Sequence, residues 1–161
     1  MEKLTALATE VAELLKQRQE SVAVSESSTG GLISAALLAV PGASAYFMGG
    51  GVIYTHAARE VLLEIDFADH PGMRSSSEPY AQLAAATIRQ RLNTTWGLSE
   101  TGAAGPTGNR YGDAAGHSCI AVAGPVEHCI TLETGLSDRE QNMWLFTEQA
   151  LKTLAQTLKQ A

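Results

Sequence analysis

The chain has 161 residues, of which 45% are hydrophobic, and its formal net charge is −6 at pH 7. This length is typical of one domain with its own core, so we expect a single domain over residues 1–161. The acidic balance argues against a nucleic acid partner, because phosphate neutralisation needs grouped lysines and arginines. No apolar stretch has the length of a membrane span or of a signal-peptide centre, which predicts a cytoplasmic protein without membrane contact.

Hydrophobic periodicity predicts alternating helices and strands in the first half of the chain. The predicted elements are a helix ending near Gln19, a strand over 22–25, a helix over 29–39, a strand over 45–54, a short helix over 57–63 and a surface loop over 66–76. The second strand contains Gly49, Gly50 and Gly51. Three glycines within a strand indicate a bulge, or a close approach of another group to the backbone.

The second half begins with Ser77, the predicted N-cap of a helix that has Pro79 in its first turn and reaches about Leu92. After it come a strand over 96–101, the loop GAAGPTGNRYGDAAG, hairpin strands over 117–123 and 126–133, and a helix from its N-cap Asp138 almost to Ala161. Early alternation of helices and strands, followed by a late hairpin, predicts an α/β sandwich with a mixed sheet.

Two cysteines, Cys119 and Cys129, fit a reducing compartment. They flank a predicted turn at Gly124-Pro125 and could therefore face each other across the hairpin. We favour the interpretation that both are small buried apolar residues, since free cysteine packs as a small hydrophobe.

The stretch VAVSESSTGGLISAALLAV, residues 22–40, is a predicted strand–loop–helix junction rich in hydroxyl groups. Such a junction directs backbone N–H groups into one small space, where a nucleophile, an anion or an oxyanion is stabilised. Ser27 could supply the nucleophile, and the amides of Thr29 to Gly31 the oxyanion donors. A capped helix start, without any site, would explain the same residues.

The loop from Thr101 to Gly108 follows a predicted strand and contains four glycine or proline residues. Its amides could cradle a phosphate. It lacks the Gly-Lys-Ser/Thr ending of a P-loop, so binding of a nucleoside triphosphate is not indicated. Rigid turn chemistry is the alternative interpretation.

Six segments match, in the same order, the motifs of one protein family. They are SESSTGG (AESCTGG in the family), VPGASAYF (PGSSAVF), GGGVIYTHAARE (GFVTYSNEAK), SSSEPYA (VSEPVA), TGAAGPTG (TGIAGPxG) and LSDRE (GDRxxV). Over essentially its whole length the chain resembles the C-terminal domain of the competence-damage-inducible protein CinA. The resemblance implies a three-layer α/β/α sandwich and a homo-oligomer.

That family includes nicotinamide-nucleotide amidase, an enzyme of the pyridine nucleotide cycle. The resemblance therefore implies hydrolysis of the carboxamide of nicotinamide mononucleotide to nicotinate mononucleotide and ammonia, with a serine nucleophile and no cofactor or metal. Ser27 falls at the position of the catalytic serine, and Tyr54 at that of the motif tyrosine. The resemblance implies a ligand-binding role for Glu26, Ser28 (cysteine in the family), Thr29, Gly30, Gly31, Thr101, Gly102, Gly105 and Arg139.

The general base of the family is a lysine, and its position here holds Arg59. A guanidinium keeps its proton at any working pH and has no acceptor site. Arg59 can therefore clamp an anion or orient Ser27 or Tyr54, but it cannot take a proton. All four lysines lie in the first and last predicted helices: Lys3, Lys16, Lys152 and Lys159.

His56 is the alternative base that we consider, because the unperturbed pKa of histidine, ~6.5, suits the task. An exposed histidine at a helix start is the simpler interpretation of the same residue. His117 lies near the third motif and could also face the site. The side chain of Glu26 should point away from that of Ser27, since neighbours on a strand point to opposite faces.

Three functions follow from these residues. The first is a weak amidase for nicotinamide mononucleotide, with Ser27 as nucleophile, Tyr54 as proton relay or orienting group and Arg59 as anion clamp. The second is a catalytically inactive paralogue that binds a nucleotide or a protein partner in the same pocket. The third is an interaction module, since the small residues of helices 32–39 and 81–86 permit close packing between subunits.

Overall fold

The computed structural model describes residues 1–161 as an alternation of helices and strands. The elements are α1 (Glu2–Arg18), β1 (Val22–Glu26), α2 (Leu32–Leu38), β2 (Phe47–Val52), α3 (His56–Ala58), α4 (Glu78–Leu92), β3 (Trp96–Ala103), β4 (His117–Ala123), β5 (His128–Glu133) and α5 (Arg139–Gln160). A π-helical turn, Arg59–Leu63, directly continues α3.

The strands form one mixed sheet in the order β2-β1-β3-β4-β5. Strand β1 runs parallel to β2 and β3, whereas β4 is antiparallel to β3 and β5 is antiparallel to β4. The parallel pairs come from the alternating first half of the chain, and the antiparallel pairs from the late hairpin. The predicted α/β sandwich with a mixed sheet is confirmed.

Helices cover both faces of this sheet because alternate strand residues are apolar on both sides. Val22 and Val24 of β1 belong to the larger core, which α1, α2 and α5 complete. Ala23 points the other way and packs with Tyr80 and Ile88 of α4. Successive side chains of a strand point to opposite faces, so this short strand contributes to both cores. The result is the expected three-layer α/β/α arrangement.

The glycines of β2 mark a close approach to the backbone, one of the two alternatives that the sequence suggested, whereas the shift in pairing falls before them, at Met48. The register between β1 and β2 shifts next to Val22, which marks an irregularity in the pairing. A Cβ at Gly50 would collide with the hydroxyl of Ser34, and one at Gly49 would lie 3.0 Å from a methyl group of Leu92. The backbone of β2 is therefore approached from both sides of the sheet.

The helix caps agree with the sequence, with one exception. Ser77 Oγ accepts a hydrogen bond from Tyr80 N, and Asp138 Oδ1 accepts one from Gln141 N at 2.8 Å. The exception is α2, which begins at Leu32 instead of residue 29 because Gly30 and Gly31 have φ values of 64° and 101°. Residues with positive φ cannot continue a right-handed helix, so the SSTGG segment is a turn before the helix.

The other differences are small. Strand β3 extends two residues beyond the predicted end at Thr101, and β5 begins at His128 instead of 126. Cys119 pairs with Thr131 and Cys129 with Ala121, so the two free thiols are diagonal neighbours on one face and not direct partners. Cys119 is buried and Cys129 partly buried, in agreement with the apolar interpretation. None of the helices combines the length and the hydrophobicity needed to cross a bilayer.

Candidate active site

A pocket of about 280 Å³ opens where the parallel strands end. Ser27 follows β1, Tyr54 follows β2, and Thr101 lies near the end of β3. The carboxyl ends of parallel strands meet at one edge of a sheet, and ligands commonly bind there. The polar lining includes Ser27, Tyr54, Arg59, Ser75, Thr101 and Tyr111. The fold thus brings together three of the four predicted catalytic residues.

A second, smaller pocket of about 210 Å³ adjoins the first and shares Tyr54, Gly102 and Asn109 with it. Its lining contains four residues to which the sequence assigned ligand binding: Ser28, Gly102, Gly105 and Arg139. Arg139 donates to Gly105 O at 2.5 Å and to the Tyr54 hydroxyl at 3.0 Å. Tyr54 is 58% exposed, and its hydroxyl lies between the two pockets.

The Ser27 hydroxyl makes no hydrogen bond in this structure, although its backbone N–H donates to Glu100 Oε1 at 3.2 Å. A nucleophilic serine needs a base within hydrogen-bonding distance to accept its proton. No imidazole, amine or carboxylate is bonded to this hydroxyl. No hydrogen-bonded base is thus present at Ser27, and the weak activity expected from Arg59 stays a prediction.

His56 does not supply that base. Its side chain is exposed, and its Nδ1 is in contact with Nη2 of Arg59, a group that can only donate. Its Nε2 lies 3.4 Å from Nη2 of Arg110. The ring is outside the lining of the Ser27 pocket, so the suggestion that His56 acts on Ser27 is wrong for this conformation.

Arg59 is a buried cation without an acidic partner. It is 4% exposed, its Nη1 donates to Ser75 Oγ at 3.3 Å, and its guanidinium carbon lies 3.5 Å from the ring centroid of Phe67. Its Nε is buried and has no hydrogen-bond partner at all. A buried charge without a counter-ion is costly unless a ligand compensates it. The role of Arg59 as an anion clamp stays a prediction.

Glu26 has a structural role and not the predicted contact with ligand. The carboxylate is buried and accepts hydrogen bonds from the backbone N–H groups of Gly31, Ile33 and Ser34 at 3.1, 3.0 and 2.8 Å. These amides belong to the start of α2 and have no partner within the helix. Glu26 thus caps α2 from the preceding strand, and its negative charge favours the N-terminus of the helix.

The predicted oxyanion donors are also occupied, which corrects the sequence-based assignment. Thr29 N donates to Glu100 Oε1 at 2.8 Å, Gly30 N to Ser27 O at 3.1 Å, and Gly31 N to Glu26. The left-handed turn folds these amides back onto the acceptors of the chain itself. The lining of the smaller pocket includes Ala104, Gly105, Thr107 and Gly108, whose N–H groups donate to no acceptor within the chain.

Glu100 is the residue that the sequence reasoning missed. It lies in β3, is 2% exposed and accepts hydrogen bonds from the Ser28 hydroxyl at 2.6 Å and the Ser118 hydroxyl at 3.3 Å. Burial raises the pKa of its carboxyl above the ordinary value. The hydrogen bonds from the serine and threonine residues lower this pKa, but the effect of burial is larger. An acid within an otherwise buried strand, just before a glycine-rich loop, is the signal that could have identified it.

His117 also lies apart from Ser27, and it links the end of β5 to the loop before α4. Its Nδ1 is 2.5 Å from Glu133 Oε1, and its Nε2 is 2.7 Å from the carbonyl oxygen of Ser76. Both partners are acceptors, so the imidazole donates from both nitrogens and is positively charged. Burial by itself lowers the pKa of His117, but these hydrogen bonds and the charges of Asp113 and Glu133 outweigh it and raise the pKa.

A pH-dependent contribution to stability follows. Because the pKa of His117 is higher in the folded chain than its usual ~6.5, its contribution is complete below that value and is lost as the pH rises through the folded pKa. We expect the difference in Tm between the wild type and His117→Gln to shrink as the pH rises above about 6.5. Thermal melts at a series of pH values measure it, and a difference that grows with pH would contradict this account.

The comparisons with known proteins agree with this fold. A sequence model of the CinA C-terminal domain matches residues 4–158. A CinA-like protein of Cyanothece sp. is 40% identical over 142 residues, which are 87% of this chain and 33% of that protein. A CinA-like protein of Picosynechococcus sp. is 38% identical over 152 residues, which are 92% of this chain and 36% of that protein. The chain thus spans about a third of the length of these curated relatives.

Solved structures show the same architecture. The competence damage-inducible protein A (ComA) of Klebsiella pneumoniae superposes with a TM-score of 0.91 at 25% identity, and the match covers 97% of both chains. The competence/damage inducible protein CihA of Agrobacterium tumefaciens, at 24% identity, shares the fold with a TM-score of 0.89 over 98% of this chain. By its sequence match over nearly the whole length, this chain belongs to the CinA C-terminal domain family.

Proposed function

We propose that this chain binds a pyridine mononucleotide such as nicotinamide mononucleotide in the pocket beside Ser27, and that it hydrolyses the carboxamide only slowly through that serine. The observation that carries the proposal is the buried Arg59 guanidinium, which has no acidic partner and lines the same pocket as Ser27. A phosphate is a suitable counter-ion, because guanidinium groups bind it through parallel hydrogen bonds.

Other groups in the pocket fit the same ligand. The Arg110 guanidinium lines the pocket and donates to the Tyr111 hydroxyl at 3.0 Å, so a second positive charge lies near Arg59. The rings of Tyr54 and Tyr111 also line this pocket. Aromatic rings stack on flat heterocycles, and a pyridine ring is such a group. The pocket therefore offers cations for a phosphate and aromatic faces for a base.

Slow hydrolysis is the expected consequence of the unpartnered Ser27 hydroxyl. Removal of a general base commonly lowers a rate by about 10² to 10⁴-fold. A chain that binds nucleotide without turnover is the second candidate, and the same buried Arg59 favours it. Ammonia release from nicotinamide mononucleotide separates the two, with Ser27→Ala as the control for turnover through that serine.

Binding is tested by the shift in melting temperature that the mononucleotide causes. Because charge-assisted hydrogen bonds contribute about 1.5–3 kcal/mol, we expect Arg59→Met to weaken the Kd of nicotinamide mononucleotide about 10- to 100-fold. Methionine keeps an unbranched apolar stem and removes the charge and the donors. Thermal shift titration measures the Kd of both proteins.

Arg91→Met is the matched control, because Arg91 is an exposed arginine of α4 whose partner is Glu64, outside the Ser27 pocket. It should bind the mononucleotide like the wild type. Nicotinamide, which lacks the phosphate, should not discriminate between wild type and Arg59→Met. An unchanged Kd in Arg59→Met, or no melting shift with the mononucleotide, would refute the proposal.

A further inference from the structure

We infer that Ser28 is an activated nucleophile of this chain, and that Glu100 accepts the proton of its hydroxyl. The Ser28 hydroxyl donates to Glu100 Oε2 at 2.6 Å, whereas the neighbouring Ser27 hydroxyl has no partner. The inference concerns a carboxamide that enters the smaller pocket, and it leaves the proposed slow turnover of nicotinamide mononucleotide through Ser27 unchanged. It differs from the turnover through Ser27 in the serine that attacks and in the group that takes the proton.

The carboxylate of Glu100 is held in one orientation by the backbone. Its Oε1 accepts from Ser27 N at 3.2 Å and from Thr29 N at 2.8 Å, and this fixes the other oxygen, Oε2, toward Ser28. The group comes from β3, which is paired in parallel with β1. The acceptor therefore sits on a strand, and the nucleophile sits in the turn that directly follows the adjacent strand β1, where the hydrogen bonds to Glu100 hold both in place.

Burial makes the Glu100 carboxylate a stronger proton acceptor than an exposed one. Burial raises the pKa of Glu100, so the neutral acid is favoured over the ion once the proton arrives. The other acidic group near Glu100 is Glu26, at the end of β1. The hydroxyl oxygen of Thr29 lies between the two carboxylates, 2.7 Å from Glu26 Oε1 and 2.9 Å from Glu100 Oε1. Ser28 and Ser118, the other side chains on Oε2, are neutral.

The smaller pocket provides the remaining components of an acyl-transfer site. Ser28 lines it, although the residue as a whole is buried. Ala104, Gly105, Thr107 and Gly108 also line it, and their N–H groups donate to no acceptor within the chain. Amides without a partner are the donors that stabilise a developing oxyanion. Arg139 lines the same pocket and adds a positive charge.

The reaction on a carboxamide balances without a further reagent except water. Ser28 Oγ forms a bond to the carbonyl carbon, the C=O electron pair moves to oxygen, and the hydroxyl proton passes to Glu100 Oε2. The tetrahedral intermediate then collapses, the C–N bond breaks, and the leaving nitrogen takes that proton to depart as ammonia. Water hydrolyses the resulting ester, with Glu100 again as the proton acceptor, and regenerates Ser28.

The test uses an alkyl fluorophosphonate, a reagent that reacts covalently with an activated serine whatever the natural substrate is. Ser28 Oγ would form a bond to phosphorus, fluoride would leave, and the proton would pass to Glu100. Peptide mass spectrometry of the labelled wild type should locate the phosphonyl group on Ser28. Because ionised Glu100 is the acceptor, the labelling rate should rise with pH through a range above that of an ordinary carboxyl group.

Glu100→Gln should lower the labelling rate by about 10²-fold or more, the usual effect of losing a general base. Glutamine keeps an acceptor for the backbone amides, and a melting curve verifies that the variant folds. Glu13→Gln, at an exposed position of α1, is the matched control and should label like the wild type. The position of the label and the pH profile need no variant, so they test the inference even if Glu100→Gln does not fold.

Labelling of Ser27 instead of Ser28, of neither serine, or at an undiminished rate in folded Glu100→Gln would overturn the inference. These outcomes are separate from the failure of the proposed function. Absence of a melting shift with nicotinamide mononucleotide would refute the proposed ligand while a label on Ser28 still supported the activated serine. A normal shift together with a label on Ser27 would refute only the inference about Ser28.

Discussion

Ammonia release from nicotinamide mononucleotide should rise by about 10²-fold or more when Arg59 is replaced by lysine, because this substitution restores a group that can act as a general base. Arginine cannot lose its proton, whereas burial lowers the pKa of a lysine and makes the neutral amine accessible. The position is suited to this effect, since Arg59 is buried, lines the pocket of Ser27 and has no acidic partner within the chain.

Two further variants test whether the faster ammonia release of Arg59→Lys depends on Ser27. Arg59→Met removes the same charge without supplying an amine, so it should show no increase in ammonia release. The double variant Arg59→Lys with Ser27→Ala should lose the increase, because the new amine would act on that hydroxyl. An Arg59→Lys protein that is no faster than the wild type would show that a missing base does not limit this site.

The second large effect is a loss of folding stability when Glu26 is replaced by alanine. Replacing Glu26 by alanine leaves three amides at the start of α2 without acceptors, and each buried unpaired donor costs about 1–3 kcal/mol. We expect the free energy of unfolding to fall by about 3 kcal/mol or more, and the Tm by about 6–12 °C for a chain of this size. Urea unfolding and thermal melts measure the two quantities.

Two other variants define the cause of that loss. Glu26→Gln keeps an acceptor oxygen of the same reach but removes the charge that favours the helix N-terminus. Its free energy of unfolding should therefore lie between those of the wild type and Glu26→Ala. Glu13→Ala, on the exposed face of α1, should leave the Tm within about 2 °C of the wild type. If Glu26→Ala were as stable as Glu13→Ala, the capping role of Glu26 would be wrong.

The order of the elements could be predicted because their signals are local. Hydrophobic spacing, the caps Ser77 and Asp138 and the glycines of β2 act within a few residues, and the structure confirms each of them. The inability of Arg59 to accept a proton is likewise a property of the side chain in any fold. Ser27, Tyr54 and Arg59 meet at one pocket because each follows a strand or begins a connection at the same sheet edge.

The hydrogen bonds of the site depend on contacts that local patterns do not specify. Gly30 and Gly31 have positive φ angles, and in the turn that they form the backbone N–H groups expected to bind an oxyanion donate to Glu26 and Glu100 instead. The sequence by itself determined which elements form, and that no lysine stands beside the nucleophile position. Only the tertiary structure decided which serine has a proton acceptor, because the parallel pairing of β1 with β3 brings Glu100 to Ser28 across 72 positions of the chain.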